Sequence, residues 1–448
     1  LADTGASAWP WLQLPSPPHP NDVDAFWMHR AVQLASLGWA TTAPNPMVGC
    51  VIVNEANQKI GEGWHQHYGQ PHAEVHALAM AKQTVGTDTL TGCTLYVTLE
   101  PCSHHGRTPP CTQALIAAKV SRVVMATLDN NPAVAGKGRD ALQAASIPTE
   151  VLPTTHPLAL ACFALNRPFF TRFAKHRPYV AVKLATTLDG ATATRSGHSQ
   201  WITSDPARQW VHLQRANATS ILTTAQTLLQ DDPLLTVRHP WFSPAHAPLR
   251  KTVIVLDAQA RLAQHAKNAP RWQSLNVFQP DYLQPVLWVL PAKAQAELDA
   301  QFNTLPKHIT PVFQPTSFNA QGKACFELPA LFKTLSHVHK QQSIWVEAGG
   351  TFASQLVAAG CADDVYVLQN QRLLGDATAP KGLQGLPSSL PLSMHDADAS
   401  LRWVHAQLLT ESEAVCHLRP YNDGVRVPQL HSAGRLQFDT DAFLQPLS

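Results

Sequence analysis

PHAEVHALAMA (71–81) and TLYVTLEPCSHHGRTPPC (94–111) are the stretches from which the first half of the chain is read. AEVHALAMA has the pattern of a helix, and TLYVTL that of a short buried strand. His72 therefore sits at a helix start, and Cys102 and Cys111 follow a strand end. One imidazole and two thiolates suit a zinc ion. Three protein ligands leave the fourth tetrahedral position to water, the catalytic rather than the structural arrangement. Zinc lowers the pKa of such a water from 15.7 to roughly 7. Glu74, two residues after His72 and near the first helical turn, is placed to take the water's proton and hand it to a leaving amine. That chemistry is hydrolytic deamination.

The plain alternatives are specific. A closed structural site needs a fourth ligand, for which Cys50, Cys93, His76, His104 and His105 are available, and it would make Glu74 incidental. His76, four residues from His72 on one helix face, could also ligate in its place. Cys50 and Cys93 border apolar strands, where burial is the default for cysteine.

Working outward, VGCVIV (48–53) and RVVMATL (122–128) read as further strands, and TQALIAAK (112–119) as a helix. Strands alternating with helices imply a mostly parallel sheet covered on both faces, hence an α/β unit. A helix opens at Asn21 or Asp22, with Val23, Phe26, Trp27, Leu34 and Leu37 at helical spacing and Gly38 as its stop. Residues 1–20, with five prolines between 10 and 20, read as a flexible leader. They lack the basic and apolar regions of a secretion signal.

RPFFTRFAKHRP (167–178), basic, aromatic and bounded by prolines, reads as the junction between a first domain at 21–167 and a second at 168–420. The second repeats the alternation. YVAVKLAT (179–186), TSILTT (219–224), KTVIVLD (251–257), PVLWVLP (285–291), SIWVEAGG (343–350) and DDVYVLQ (363–369) are strands. DPARQWVHLQRAN (205–217) and TFASQLVAAG (351–360) are helices. Residues 258–342 resist placement because proline and glutamine interrupt the pattern, and 421–448 read as a loose polar tail.

Composition sets limits. The 448 residues are 45% hydrophobic, which excludes wholesale disorder, and suggest two or three domains. Lysine plus arginine number 33 against 31 aspartates and glutamates, a net charge of +2 that argues against a nucleic-acid partner. No stretch approaches the roughly 20 apolar residues of a membrane span. Eight cysteines, four of them at 50, 93, 102 and 111, suggest a metal site in a reducing compartment, hence the cytoplasm.

His72-Ala73-Glu74 and Pro101-Cys102 resemble the H-x-E and P-C signature of the cytidine/deoxycytidylate deaminase superfamily. Cys111 stands further from Cys102 than the usual P-C-x-x-C allows. That longer spacing, with HAEVHAL and TLEPCSHHGRTPPC, resembles the riboflavin-pathway branch of the superfamily. TTAPNPMVGCVIV (41–53) extends the likeness upstream, and it implies that Asn45 helps to hold the pyrimidine while Pro44 and Pro46 fix the loop.

KLATTLDGATATRSGHSQWIT (183–203), LQRANATSILTTAQTLLQDDPLLTVR (213–238) and WVEAGGTFASQLVAAG (345–360) resemble the dihydrofolate-reductase-like domain that riboflavin-pathway enzymes fuse to such a deaminase. The resemblance implies NADPH as cofactor, with contacts from Ala185, Trp201, Thr227, Gly349, Gly350, Thr351, Phe352, Ala353, Ser354 and Gln355. It implies a sugar-phosphate pocket of Ser199, Arg215, Asp231, Leu235, Arg238 and Glu347. The residues agree physically. Gly349 and Gly350 open a helix whose amides and dipole can meet a phosphate. Arg215 and Arg238 offer forked, charge-assisted hydrogen bonds to the substrate's 5'-phosphate. Asp189 reads as a turn residue before Gly190. No side-chain acid for the hydride step stands out. Three departures bear on the second half alone: TTAQT (223–227) lacks an expected glycine, Ala258 replaces a serine, and Gln369-Asn370-Gln371 replaces an apolar-Ala-Pro segment.

The expectation is thus a cytidine-deaminase-like α/β/α domain followed by a dihydrofolate-reductase-like α/β domain. It is a zinc- and NADPH-dependent enzyme acting on a small pyrimidine nucleotide, away from nucleic acid and membranes, with homo-oligomerisation left open. The rival readings are a nucleotide or nucleic-acid base deaminase with a degenerate second domain, and a zinc-stabilised interaction protein without catalysis.

Overall fold

The computed structural model describes residues 15–19, 21–104, 109–132, 134–195, 202–239, 249–266, 269–296, 305–319, 321–376, 378–383, 402–410, 412–419, 428–430 and 436–438. Most of the leader, His105, Ser199 and Trp201 lie outside the described residues. Two compact units divide between Lys175 and His176: residues 1–175 with 424–448, and residues 176–423.

In the first unit, α1 (Val23–Ser36) is capped by the Asp22 side chain, which accepts the amide of Ala25. The sheet follows with β1 (Gly49–Val53), β2 (Lys59–Trp64), α2 (Ala73–Val85), β3 (Thr94–Val97), α3 (Cys111–Ala117), β4 (Arg122–Met125), α4 (Lys137–Ala144), β5 (Thr149–Val151) and α5 (Pro157–Leu165). Strand order is β2-β1-β3-β4-β5. Along β1 the side chains alternate as a strand demands. Cys50 and Ile52 pack with Ala73, Ala77 and Ala81 of α2, whereas Val51 and Val53 pack with Met28 and Val32 of α1. Both faces are therefore covered, as the alternation predicts.

The sheet is not mostly parallel. β1 runs antiparallel to both β2 and β3, and only β3–β4 and β4–β5 are parallel. The unforeseen member is β2, KIGEGW, whose glycines weaken the strand signal. The fold requires them. A Cβ on Gly61 would lie 2.3 Å from the Ala77 carbonyl oxygen, and one on Gly63 would lie 2.7 Å from that of Ala73. Helix α2 thus rests directly on strand backbone, which sets the depth of its first turn.

Residues 167–178 are also not a mere connection. Arg167–Lys175 forms helix α6, and Phe170 is fully buried, stacked 4.8 Å from Phe163. With Leu99 these two rings form a small core directly ahead of Glu100-Pro101-Cys102. The division between the units falls inside this stretch, after Lys175, and its aromatics before that point pack into the first unit.

The second unit contains β6 (Tyr179–Thr186), α7 (Asp205–Asn217), β7 (Ser220–Thr224), α8 (Ala225–Asp231), β8 (Thr252–Leu256), β9 (Val286–Pro291), β10 (Ile309–Gln314), α9 (Leu328–His337), β11 (Ser343–Glu347), α10 (Gly350–Ala358), β12 (Asp364–Asn370), β13 (Arg402–Thr410) and β14 (Glu413–Arg419). Their order is β10-β9-β8-β7-β11-β6-β12-β14-β13. From β10 to β12 every pairing is parallel. The last two strands add an antiparallel edge. Val180 and Val182 face Phe332 and Leu356 of α9 and α10, while Ala181 faces Trp210 of α7 and Trp345. Within 258–342, PVLWVLP forms β9 as expected, and β10, α9 and a small hairpin pairing Thr316–Phe318 with Ala324–Phe326 join it. Within the tail, Pro428–Leu430 pairs with Leu436–Phe438.

Candidate functional site

In the first unit His72 is the N-cap of α2, Glu74 lies in its first turn, and Cys111 is the first residue of α3. Cys102 follows the buried segment Leu99-Glu100-Pro101. The Nδ1 of His72 lies 3.6 Å from the Cys102 Sγ and 3.3 Å from the Cys111 Sγ. A tetrahedral zinc with Zn–S ~2.3 Å and Zn–N ~2.0 Å would separate such ligand atoms by about 3.5 Å. The three donors, all within 4.8 Å of one another, thus fit the ion in chemistry and spacing. Among the described residues this group has three members; Cys50, Cys93, His76 and His104 stand apart from it.

The electrostatics agree. The two thiols titrate as a pair: Cys102 is drawn well below the ordinary thiol value by the Cys111 side chain beside it, with help from His72 and the Cys111 amide, and Cys111 is pushed up by Cys102 and by burial. Glu74 is 3% exposed, and its burial raises the carboxyl to about 7. A carboxyl there is suited both to take up and to release a proton near neutrality.

Asn45 reaches this neighbourhood through a residue the sequence reading missed. Its Nδ2 lies 3.1 Å from the Nε2 of His65, whose Nδ1 lies 3.1 Å from the Pro71 carbonyl oxygen. That carbonyl can only accept, so Nδ1 carries the proton, and Nε2 accepts from Asn45. The His65 ring meets His72 edge-on at 5.4 Å. His65 is 2% exposed and shares the connection between β2 and α2 with His67 and His72, so the sequence alone did not single it out. Behind Cys102, the Glu100 carboxylate accepts the amides of Asp129, Gly136 and Arg139, tying these three residues to the ligand-bearing loop.

In the second unit a cleft of about 890 Å³ opens at the carboxyl ends of the parallel strands. It is lined by Ala185, Thr227, Asp231, Leu235, Glu347, Gly349, Gly350, Thr351, Phe352 and Gln355, as the resemblance implies. Gly350 is required, because a Cβ there would lie 1.9 Å from the Gly382 carbonyl oxygen, whereas Gly349 faces open space. An open helix N-terminus in a cleft of this size fits the phosphate of a dinucleotide.

Other expectations shift. Ala353 and Ser354 turn into the core, and the Ser354 hydroxyl donates to the Gly350 carbonyl at 2.9 Å. Arg215 and Arg238 do not line the cleft. Arg215 is buried with its Nε 2.5 Å and Nη2 2.9 Å from the Glu347 carboxylate, and its Nη1 donates to the Thr236 carbonyl. Asp189 does what a turn residue does, accepting the Thr187 hydroxyl and the amides of Leu374 and Gly375. Of the departures, Ala258 lines the cleft with a methyl group where a hydroxyl was expected. Asn370 joins a buried network, donating to Glu413, which also accepts the Ser204 amide at the start of α7.

Lys183 also lines the cleft and was missed. Burial pushes its ammonium below the ordinary lysine value, opposed by the nearby Glu347 carboxylate. The sequence did carry a signal, a single charge inside the apolar strand YVAVKLAT.

Comparisons with known proteins agree with both halves. The cytidine and deoxycytidylate deaminase zinc-binding region matches residues 21–127, and the RibD C-terminal domain matches residues 178–409. The riboflavin biosynthesis protein RibD of Escherichia coli (strain K12) is 41% identical over 81% of this chain and 91% of its own length. That of a Synechocystis species is 44% identical over 83% and 92%. The RibD structure from Acinetobacter baumannii, form 2, is similar at a TM-score of 0.71 and 32% identity, covering 90% of this chain and all of that one. A Thermotoga maritima structure described as a diaminohydroxyphosphoribosylaminopyrimidine deaminase/5-amino-6-(5-phosphoribosylamino)uracil reductase matches at 0.70 and 29%, with 90% and 100% covered. Matching such relatives across both units, the chain belongs to the RibD family of bifunctional riboflavin-biosynthesis enzymes, which join a zinc-dependent deaminase to an NADPH-dependent reductase.

Proposed function

We propose that the first unit removes ammonia from ring carbon 2 of 2,5-diamino-6-(5-phosphoribosylamino)pyrimidin-4(3H)-one, and that the second reduces the ribosyl group of the product to a ribityl chain. The observation that carries the first step is the buried Glu74 carboxyl beside the His72, Cys102 and Cys111 donors. When bound, zinc supplies an acidified water and NADPH supplies a hydride. His72, Cys102 and Cys111 hold the metal. Glu74 takes the proton of the attacking water and passes it to the departing amine, a double duty that suits a carboxyl near 7. Asn45, oriented by His65, hydrogen-bonds the pyrimidine.

In the second unit, Gly349 to Phe352 and Gln355 hold the cofactor at the start of α10, with Ala185 and Thr227 along the cleft wall. Asp231, Leu235 and Glu347 border the sugar. Lys183, inside the cleft and facing Glu347, is the group suited to hold a proton for the ribose oxygen as the ring opens. The lining residues thus do more than position the sugar. Arg215 acts by holding Glu347 and residue 236, and the exposed Arg238 is left to read the 5'-phosphate. The test is to supply the diaminopyrimidine phosphate with and without NADPH. Ammonia release in both conditions, with nicotinamide oxidation following it, is the expected result. Oxidation without ammonia, or ammonia from free cytidine nucleotides at equal efficiency, would defeat the assignment.

A further inference from the structure

Residues 231–238, DDPLLTVR, contribute Asp231 and Leu235 to the cleft and end at Arg238. Beyond α8 they form no helix or strand. Asp232, the C-cap of α8, and Leu235 have φ of 38° and 48°, left-handed values that residues with a Cβ adopt sparingly, leucine least of all. A loop of that shape persists only if its surroundings hold it.

The holders come largely from one place. The Tyr282 hydroxyl donates to the Leu234 carbonyl at 2.7 Å. The Asn276 amide donates to Asp232 Oδ1 at 2.8 Å, and its Nδ2 donates to Asp232 Oδ2 at 2.8 Å and to the Asp232 carbonyl at 3.0 Å. Gln284 Nε2 donates to the Leu235 carbonyl at 3.4 Å. Arg215 and His212 of α7 add bonds to the Thr236 carbonyl and from the Arg238 amide.

Asn276, Tyr282 and Gln284 belong to a short stretch with little regular structure of its own. It is nonetheless anchored. Val277 and Phe278 are fully buried, and Phe278 packs edge-on against Trp288 of β9 at 5.1 Å. His308 holds it from the far side through the Val277 carbonyl at 3.2 Å. The stretch is therefore a fixed cradle under a strained loop.

We propose that Asn276 and Tyr282 are positioning residues for the reductase, shaping residues 231–238 so that Asp231, Leu235 and Arg238 meet the sugar phosphate. This rests on the reading of that loop as a sugar-phosphate contact. The two residues touch backbone and Asp232 rather than the cleft, so their loss should weaken substrate binding without touching hydride transfer or the cofactor.

The test uses the full-length zinc enzyme with Tyr282→Phe and, separately, Asn276→Ala. Reduction of 5-amino-6-(5-phosphoribosylamino)uracil is followed for KM and kcat, NADPH binding by nicotinamide fluorescence, and deamination as a check on the preparation. The expected result is a KM raised about fivefold in Tyr282→Phe, what one neutral hydrogen bond is worth, and by more in Asn276→Ala, which loses two bonds, one of them to a carboxylate, with kcat changed less than about twofold in both. NADPH affinity should be unchanged. An unaltered KM in both variants, or NADPH affinity falling in step with KM, would overturn the cradle. Arg238→Ala separates the two layers. If it too leaves KM unaltered, the loop does not read the sugar phosphate; if it alone raises KM, the loop does so without the cradle.

Discussion

The Arg215 guanidinium and the Glu347 carboxylate meet fork to fork, at 2.5 and 2.9 Å, both nearly buried. The resemblance implied a phosphate contact for this arginine; here three of its N–H groups bond the Glu347 carboxylate and the Thr236 carbonyl. The pair joins α7 to the end of β11, where the cleft begins. Glu347 is held at about 2: its burial opposes ionisation, and the Arg215 charge more than offsets that. Removing one partner leaves the other charged and buried. Arg215→Ala should therefore destabilise the second unit by about 3–5 kcal/mol. Adding Glu347→Gln should recover part of that loss. Urea unfolding of the single and double variants measures it, and equal stability of Arg215→Ala and the parent would show the pair to be unimportant.

Glu74 has an equally direct consequence. It is not among the metal donors, so Glu74→Gln should leave the bound zinc unchanged while ammonia release falls by about 10²–10⁴, the usual worth of a general acid–base group. NADPH oxidation with pre-deaminated substrate should continue at the parental rate. Metal analysis and the two assays on one preparation decide the matter. Zinc lost in proportion to activity would make Glu74 a structural residue.

What the sequence revealed depended on how local each signal was. His72 and Glu74 share one helical turn, and Cys102 and Cys111 flank one loop, so each pair was local, and the resemblance to the deaminase motif joined the two pairs across 30 residues. β2 escaped because Gly61 and Gly63 exist for the approach of α2, a tertiary reason invisible in KIGEGW. The parallel sheet expected of the first unit failed at the same point, since β2 forms a hairpin with β1. In the second unit the continuous run from 349 to 355 overreached. A helix turns its residues by 3.6 per turn, so 353 and 354 point inward while 352 and 355 face the cleft. Arg215 and Glu347 lie 132 residues apart, and no local pattern could pair them. Nor could the anchors at 276 and 282 be found, because their partners are carbonyls and an aspartate on another loop.

Lys183 invites a third measurement. Its strand neighbours Val182 and Leu184 are buried in the opposite core, so the side chain points to the cleft side by simple alternation. Lys183→Met keeps most of the apolar stem and removes the proton. Reduction should fall by about 10²-fold or more, while NADPH affinity, read by fluorescence, changes little. A loss confined to NADPH binding would make the lysine a cofactor contact instead.

His212 gives a pH dependence with a definite sign. Its Nδ1 accepts the Arg238 amide at 3.1 Å, and burial, with the Arg215 and Arg238 charges, lowers its pKa from 6.5 to about 4. Unfolded chain therefore takes up this proton before folded chain does. The stabilisation is complete above pH 6.5 and is lost progressively as pH falls towards 4. Protonation at Nδ1 would also remove the acceptor that fixes the Arg238 backbone, so reductase KM should hold steady to about pH 5 and rise only as pH approaches the folded value near 4. His212→Asn, whose Oδ1 can stand near the Nδ1 position and does not titrate, should flatten both curves. Urea unfolding followed by tryptophan fluorescence between pH 4 and 7, beside reductase kinetics, tests this; identical slopes for the parent and His212→Asn would assign the dependence to another group.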